Sequence, residues 1–188
     1  MHTTVVERLH ADFTALSKSV DTTAEPSLAI TANDVFRKSL LLAAASEFEV
    51  TIVSAIVAFA ESEAGPTSPL VSFVRSKALA RQYHTLFNWN AANASQFFGF
   101  FGEEFKRHAE AAVRVDSTLR DSVATFLQLG DDRNRLVHQG FGSFAHEKTA
   151  DEIFDAYKRA TIFVQIIPEL LSSCPRGEGK SVKGVGAG

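Results

Sequence analysis

The sequence predicts an all-α protein folded as one helical bundle. In segment after segment, apolar residues recur at three- and four-residue steps, the period of a helix face turned toward a core. No segment shows the two-residue alternation of a half-buried strand, and Gly, Pro, Asp and Thr punctuate the periodic stretches as helix stops and starts.

Val6, Leu9, Phe13, Leu16 and Val20 give a first amphipathic helix, followed by a polar linker from Asp21 to Ser27. Thr31 or Asn33 is the expected cap of a long second helix that runs to about Glu63, where Gly65-Pro66 stops it. Its stripe is Leu41, Ala45, Phe48, Ile52, Ala55 or Ile56, and Phe59. Ser68-Pro69 starts a third helix, since proline at the first helical position sacrifices no hydrogen bond; its expected end is near Tyr83. The segment from His84 to Asn93 has no clean period and reads as a loop. A phenylalanine-rich helix follows, with Phe97, Phe101 and Phe105 on one face and Phe98 beside them, interrupted by Gly99 and Gly102. Asp116 caps a helix carrying Leu119, Val123, Phe126 and Leu127, which Gly130 either continues or restarts. After a loop at Gly140 and Gly142, Thr149-x-x-Glu152 forms a capping box for the last long helix. That helix shows Ile153, Tyr157, Ala160, Val164, Ile167 and Leu171, with Pro168 expected to kink its final turn. Residues 1–174 thus form one domain, and 175–188 read as a flexible glycine-rich tail.

The chain has 188 residues, 45% hydrophobic and 22% charged, within the range of an ordinary soluble domain. Its net charge of −3 excludes retention on nucleic acid or anionic lipid by bulk charge, so any such contact needs a local patch. The single cysteine, Cys174, excludes an internal disulfide and a Cys-based zinc site, which suits a cytoplasmic location. No secretory signal opens the chain. The stretch from Leu40 to Ala60 is long enough for a membrane span, but Glu47, Glu49, Thr51 and Ser54 within it favour a buried soluble helix, and no membrane partner is expected.

Several chemical readings fail on spacing. Gly179-Lys180-Ser181 imitates the end of a phosphate-binding loop, yet Cys174 stands where the required glycine belongs and no helix follows. Glu104 and His108 stand four apart, without the paired Glu-x-x-His set of a di-iron bundle. The remaining histidines, His2, His10, His84, His138 and His146, show no metal-ligand spacing, so no metal and no cofactor is expected. The phenylalanines read as core.

The informative segment is DDRNRLVHQG, residues 131–140. If the helix from Asp116 continues, Arg133 shares a face with Phe126, Leu129, Leu136 and Val137. A guanidinium there needs a carboxylate, a phosphate or an interface. Asn134 and His138 lie one turn apart on the same side. The bland alternative is an arginine paired with Glu49 or Asp132 beside a half-exposed histidine. Basic and aromatic residues at Arg75, Lys77, Arg81, Tyr83 and His84, at Lys106-Arg107, and at Arg135 could hold and stack on RNA, or could simply be solvated helix faces.

Arg133-Asn134-x-x-x-His138, late in a helical chain, resembles the signature of the HEPN superfamily (higher eukaryotes and prokaryotes nucleotide-binding), and in particular its RiboL-PSP-HEPN branch. The supporting stretches are FRKSLLLAAASEFEVTI, VRSKALARQYHTLFNW, FFGFFGEEFK and FLQLGDDRNRLVHQGF, which together span about Phe36 to Tyr157. The resemblance implies a HEPN-like bundle that forms a homodimer with two Arg-x4-His motifs facing one another. For active members it implies a metal-independent endoribonuclease, often a toxin or antiphage-defence effector, with RNA as substrate and an antitoxin or defence-system partner. Carried over, Arg133 and His138 are catalytic, Asn134 is the polar residue after the arginine, and Glu49 best fits the accompanying acid. Glu47, aligned with Thr51 and Ser54, reads as solvated. Inactive members imply the alternative, a non-catalytic module binding nucleotide, RNA or a partner protein. Strand cleavage by a 2′-hydroxyl needs a base, an acid and stabilisation of added negative charge. Histidine can fill either of the first two roles and arginine the third. One His138 per chain cannot be acid and base at once, whereas a symmetric dimer supplies two.

Overall fold

The computed structural model describes residues 3–20, 26–145 and 147–173. The start of the polar linker, the glycine-rich tail, the Gly179-Lys180-Ser181 stretch, Cys174, His2 and His146 lie outside them. Among the described residues there are helices and loops and no strand.

Helix α1 (Val5–Val20) begins on a reciprocal cap: the Thr4 amide donates to Glu7 Oε2 at 2.7 Å, and the Glu7 amide donates to Thr4 Oγ1 at 3.1 Å. Helix α2 (Pro26–Ala64) starts earlier than the expected caps. Thr31 and Asn33 lie inside it and bond back to the carbonyls of Ser27 and Ala29, both at 3.1 Å. At 1.5 Å per residue this helix is roughly 58 Å long, and it is the one described helix long and apolar enough to cross a membrane. Its stripe of Phe36, Leu40, Leu41, Ala44, Phe48, Ile52 and Ile56 is buried against α1 and two later helices.

The helix expected from Pro69 to Tyr83 breaks up. Ser68 Oγ caps α3 (Pro69–Phe73) by accepting from the Leu70 amide at 3.2 Å. The chain then widens into a π-helical turn over Val74–Leu79, closed by the Ala80 amide donating to the Arg75 carbonyl. Arg81 adopts a left-handed φ of 61°, and a 3₁₀ turn covers Tyr83–Thr85. Only Val71 and Leu79 are buried in this stretch, too little packing to enforce a regular helix. The phenylalanine-rich helix also splits, into α4 (Ser95–Gly99) and α5 (Glu103–Val115), at Gly102 with φ 95°. Phe97, Phe98 and Phe105 are buried and Phe101 is half-buried.

Asp116 Oδ1 accepts from the Leu119 amide at 3.1 Å and opens α6 (Ser117–Gln139), which continues unbroken through Gly130. The Thr149–Glu152 box opens α7 (Ala150–Ser173), which runs through Pro168. Helices α2, α6 and α7 form the centre of the bundle, with α1 packed on α2 and α7 and α5 packed on α6. Rings of Phe48, Phe87, Phe126 and Phe163 interlock where the central helices meet.

Three polar devices fix how these helices sit. Buried Lys38 pairs with Asp34 at 2.6 Å and donates to the Phe141 carbonyl at 2.8 Å, so α2 grips the loop that follows α6. Glu47 is not solvated, as its alignment suggested. It accepts a 2.5 Å hydrogen bond from Tyr157 Oη, which also meets Thr4 Oγ1 at 3.1 Å, tying α2 to α7 and to the α1 cap. The third is Ser122, buried, whose Oγ donates to the Arg159 carbonyl at 2.6 Å and accepts from the Phe163 amide at 2.7 Å. Removing it in Ser122→Ala strips the α7 backbone of a buried partner, at a cost of about 1–2 kcal/mol. For a chain of this size that is a fall in Tm of roughly 2–8 °C. An unchanged thermal midpoint would show that the hydroxyl does not join the two helices.

Candidate functional site

Glu49 follows buried Phe48 on α2 and stands half-buried at the edge of the α2–α6 seam. Facing it, α6 presents Gly130, Arg133, Asn134, Val137 and His138, residues that fall on one side at helical spacing. The third wall is the irregular strap after the π turn, which supplies Arg81, Tyr83, His84 and Trp89. Together they enclose a cleft with two lobes that share Glu49, Tyr83, His84, Trp89, Arg133 and Asn134. The mouth, about 330 Å³, reaches Arg81 and His138. The inner lobe, about 240 Å³, reaches Phe48, Phe126, Leu129 and Gly130.

Arg133 is half-buried, and its Nη1 donates to Asn134 Oδ1 at 3.1 Å. Among the described residues no carboxylate oxygen lies within 4.0 Å of this guanidinium, so it has neither of the ion-pair partners weighed from the sequence. Asp132 points away and is engaged by Lys148 and by Gln128 Nε2. Val137, expected on the apolar face, is 52% exposed beside the mouth. A half-buried guanidinium without a carboxylate, next to an amide side chain, is set up to receive an anion from outside. His138 is exposed in the last turn of α6, which Gly140 ends with a φ of 83°. Among the described residues, no group of three or more His, Cys, Asp and Glu side chains is arranged to hold a metal ion.

Tyr83 records the field inside the cleft. Its phenol is pushed well above the ordinary range, first by burial and then by the negative charge of Glu49, with the positive charge of Arg133 opposing them. The chain's other tyrosine, Tyr157, is pushed up to about 12 by burial and by its bond to the Glu47 carboxylate. Because both folded-state values are raised, the stability these phenols contribute is complete below the unfolded value near 10 and is lost as pH rises through the folded ones. In an alkaline titration followed at 295 nm, neither tyrosine should ionise near pH 10, and both should appear together as the chain unfolds. A phenolate signal near pH 10 from folded protein would contradict the burial of these rings.

Three residues grouped with the site on sequence grounds lie elsewhere. Arg135 is turned about 200° around α6 from Arg133, where it sits 5.7 Å over the Phe144 ring and 3.9 Å from Asp132. Lys77 borders a separate, mostly apolar groove with Ile56, Phe59 and Phe101. Arg75 pairs with Glu61 outside the cleft. Conversely, sequence reasoning passed over Trp89 and Gly130. The indole Nε1 donates to the His84 carbonyl at 2.8 Å, and the ring lies flush on α6 at Gly130, where a Cβ would fall 2.0 Å from two ring carbons. A glycine in the middle of a long striped helix signals such an approach.

The sequence profile described as RiboL-PSP-HEPN matches residues 7–173, from α1 to the end of α7 and including the whole cleft. The chain belongs to the RiboL-PSP-HEPN family. The match takes in α1 as well, beyond the span from Phe36 to Tyr157 that carries the motif resemblance. No curated protein and no solved structure matches the chain. Membership of the RiboL-PSP-HEPN family suggests a nuclease-like or RNA-related module.

Proposed function

We propose that this RiboL-PSP-HEPN protein is a metal-independent endoribonuclease. The observation that carries this reading is the half-buried Arg133 guanidinium, which has no carboxylate partner among the described residues and shares a cleft with Asn134 and His138. An RNA phosphodiester supplies the missing anion. Arg133 and the Asn134 amide hold its non-bridging oxygens, where charge grows in the transition state. The 2′-oxygen attacks phosphorus, forming the 2′-O–P bond as the P–O5′ bond breaks. The 2′-hydroxyl proton passes to a base, and the departing 5′-oxygen takes a proton from an acid, leaving a 2′,3′-cyclic phosphate and a 5′-hydroxyl. His138 has the chemistry for one of these transfers. Glu49 lines the same cleft beyond ion-pair distance of Arg133 and, in this reading, adds negative charge to the cleft wall without holding the guanidinium.

We further propose that the protein works in the cytoplasm as a homodimer with the two clefts facing each other, acting as a toxin or antiphage-defence effector. Its activity there would be held in check by an antitoxin or a defence-system partner.

The test is direct. Purified protein incubated with single-stranded RNA in EDTA should yield fragments ending in 2′,3′-cyclic phosphate, and His138→Ala should reduce the rate by 100-fold or more. Expression in a bacterial host should slow growth, and the same substitution should relieve it. Cleavage that survives His138→Ala, or that requires a divalent cation, overturns the proposal. RNA binding without cleavage would instead mark a non-catalytic member.

A further inference from the structure

The inner lobe of the cleft has the size and lining to seat one flat ring system. Its volume of about 240 Å³ falls below the roughly 300–1,000 Å³ of a pocket for a drug-sized molecule. Phe48, Phe126, Leu129 and the Trp89 indole line it. The indole is a fixed surface, because its Nε1 donates to the His84 carbonyl at 2.8 Å and its ring rests on Gly130. Two polar groups border the same lobe. Glu49 is half-buried, and among the described residues its carboxylate has no hydrogen-bond or ion-pair partner. The Tyr83 hydroxyl has no hydrogen bond among them either, although it lies in the fields of both Glu49 and Arg133. Burial and the Glu49 charge keep this phenol protonated, so it is a donor near a two-oxygen acceptor. The pair calls for a ligand edge that donates to the carboxylate and accepts from the hydroxyl.

An ionised carboxylate accepts and never donates, so it selects an edge with two adjacent N–H groups. Of the four RNA bases only guanine has one, at N1 and N2, with the O6 acceptor beside it. Adenine and cytosine would each turn a ring-nitrogen lone pair toward the carboxylate, and uracil has a single N–H between two carbonyls. We propose that the inner lobe is a guanine subsite. An unpaired guanine next to the scissile phosphate stacks on Trp89, donates from N1 and N2 to Glu49, and accepts at O6 from Tyr83. The assignment rests on the endoribonuclease reading. Arg133 and Asn134 line both lobes, so a phosphate held there is joined to a base within reach of the inner one. Glu49 then sets which RNA is cut, and the proton transfers stay with the histidines of the proposed homodimer.

The experiment uses uridine oligomers carrying one guanosine, inosine, adenosine or cytidine, incubated in EDTA with the full chain, with Glu49→Gln and with Tyr83→Phe. Guanosine and adenosine 5′-monophosphates are titrated alongside against the emission of Trp89, the only tryptophan. Cleavage next to guanosine should exceed that next to adenosine by about 10- to 100-fold. Inosine, which lacks the N2 amine, should fall about 10-fold below guanosine and needs no substitution in the protein. Glu49→Gln should abolish the preference and favour adenosine, because an amide offers one acceptor and one donor to adenine N6 and N1. Tyr83→Phe should weaken the preference about fivefold. Equal cleavage at all four bases, or a Glu49→Gln loss shared equally among them, overturns the guanine subsite and leaves the nuclease reading standing. If the unsubstituted chain cleaves none of the oligomers, the nuclease reading falls and the titration decides the lobe. Guanosine 5′-monophosphate binding that Glu49→Gln abolishes then supports a guanine site, and equal or absent quenching by the two nucleotides overturns it.

Discussion

Arg133→Ala should lower the rate of RNA cleavage by about 100- to 1,000-fold, the range expected when a preorganised charged donor to the reacting phosphoryl oxygens is removed. The effect should fall on the chemical step more than on RNA affinity, because the charge this residue meets is larger in the transition state than in the ground state. Arg133→Lys should recover only part of the loss, since an ammonium keeps the charge without the planar fork. Stability should respond in the opposite sense. The guanidinium is half-buried with a single bond to Asn134 and no carboxylate within 4.0 Å among the described residues, so its removal breaks no ion pair and relieves an unpaired charge. Single-turnover kinetics and a thermal melt on the same samples separate the two effects. A variant that loses its fold together with its activity would show that Arg133 is a structural residue.

Gly130→Ala should destabilise the protein, although helix propensity alone favours alanine by about 1 kcal/mol. The added Cβ would stand 2.0 Å from Trp89 Cε3 and Cζ3, and a rigid indole cannot yield as a flexible chain end would. Overpacking of this kind costs roughly 1–3 kcal/mol or more, so a net loss of about 2 kcal/mol and a Tm lower by roughly 4–8 °C are expected. Trp89 is the only tryptophan, which makes its emission a clean reporter: the spectrum should shift to the red as the ring leaves the helix surface. Cleavage should fall as well, because the ring holds the His84 carbonyl and walls both lobes of the cleft. A raised Tm with unchanged emission would place Trp89 away from α6.

Local signals were legible where neighbours in sequence are also neighbours in space. The Thr149–Glu152 box, the Asp116 cap and the stripes of α6 and α7 depend on residues three or four apart, and each forms as the spacing requires. The Thr4–Glu7 box carries the same local signal at the start of α1. The errors share a different cause. Glu47 looked solvated because its own helix offers it only Thr51 and Ser54, yet its partner, Tyr157, comes from a helix 110 residues away. The third helix looked continuous to Tyr83 because nothing in its sequence forbids one, but packing holds only Val71 and Leu79. Beyond Phe73 the chain therefore passes into a π turn, a left-handed Arg81 and the strap.

The same division runs through the candidate site. By itself the sequence determined an all-helical chain of the RiboL-PSP-HEPN family with Arg133, Asn134 and His138 on one side of α6, because the helical repeat fixes angular positions within a helix whatever surrounds it. Only the tertiary structure decided which residues face them. Glu49, Tyr83, His84 and Trp89 arrive from α2 and from an irregular strap, and Arg135 and Lys77 are carried away to other surfaces. No periodicity encodes those placements. They arise from long-range packing, in which a bare patch at Gly130 admits an indole and the indole sets the loop.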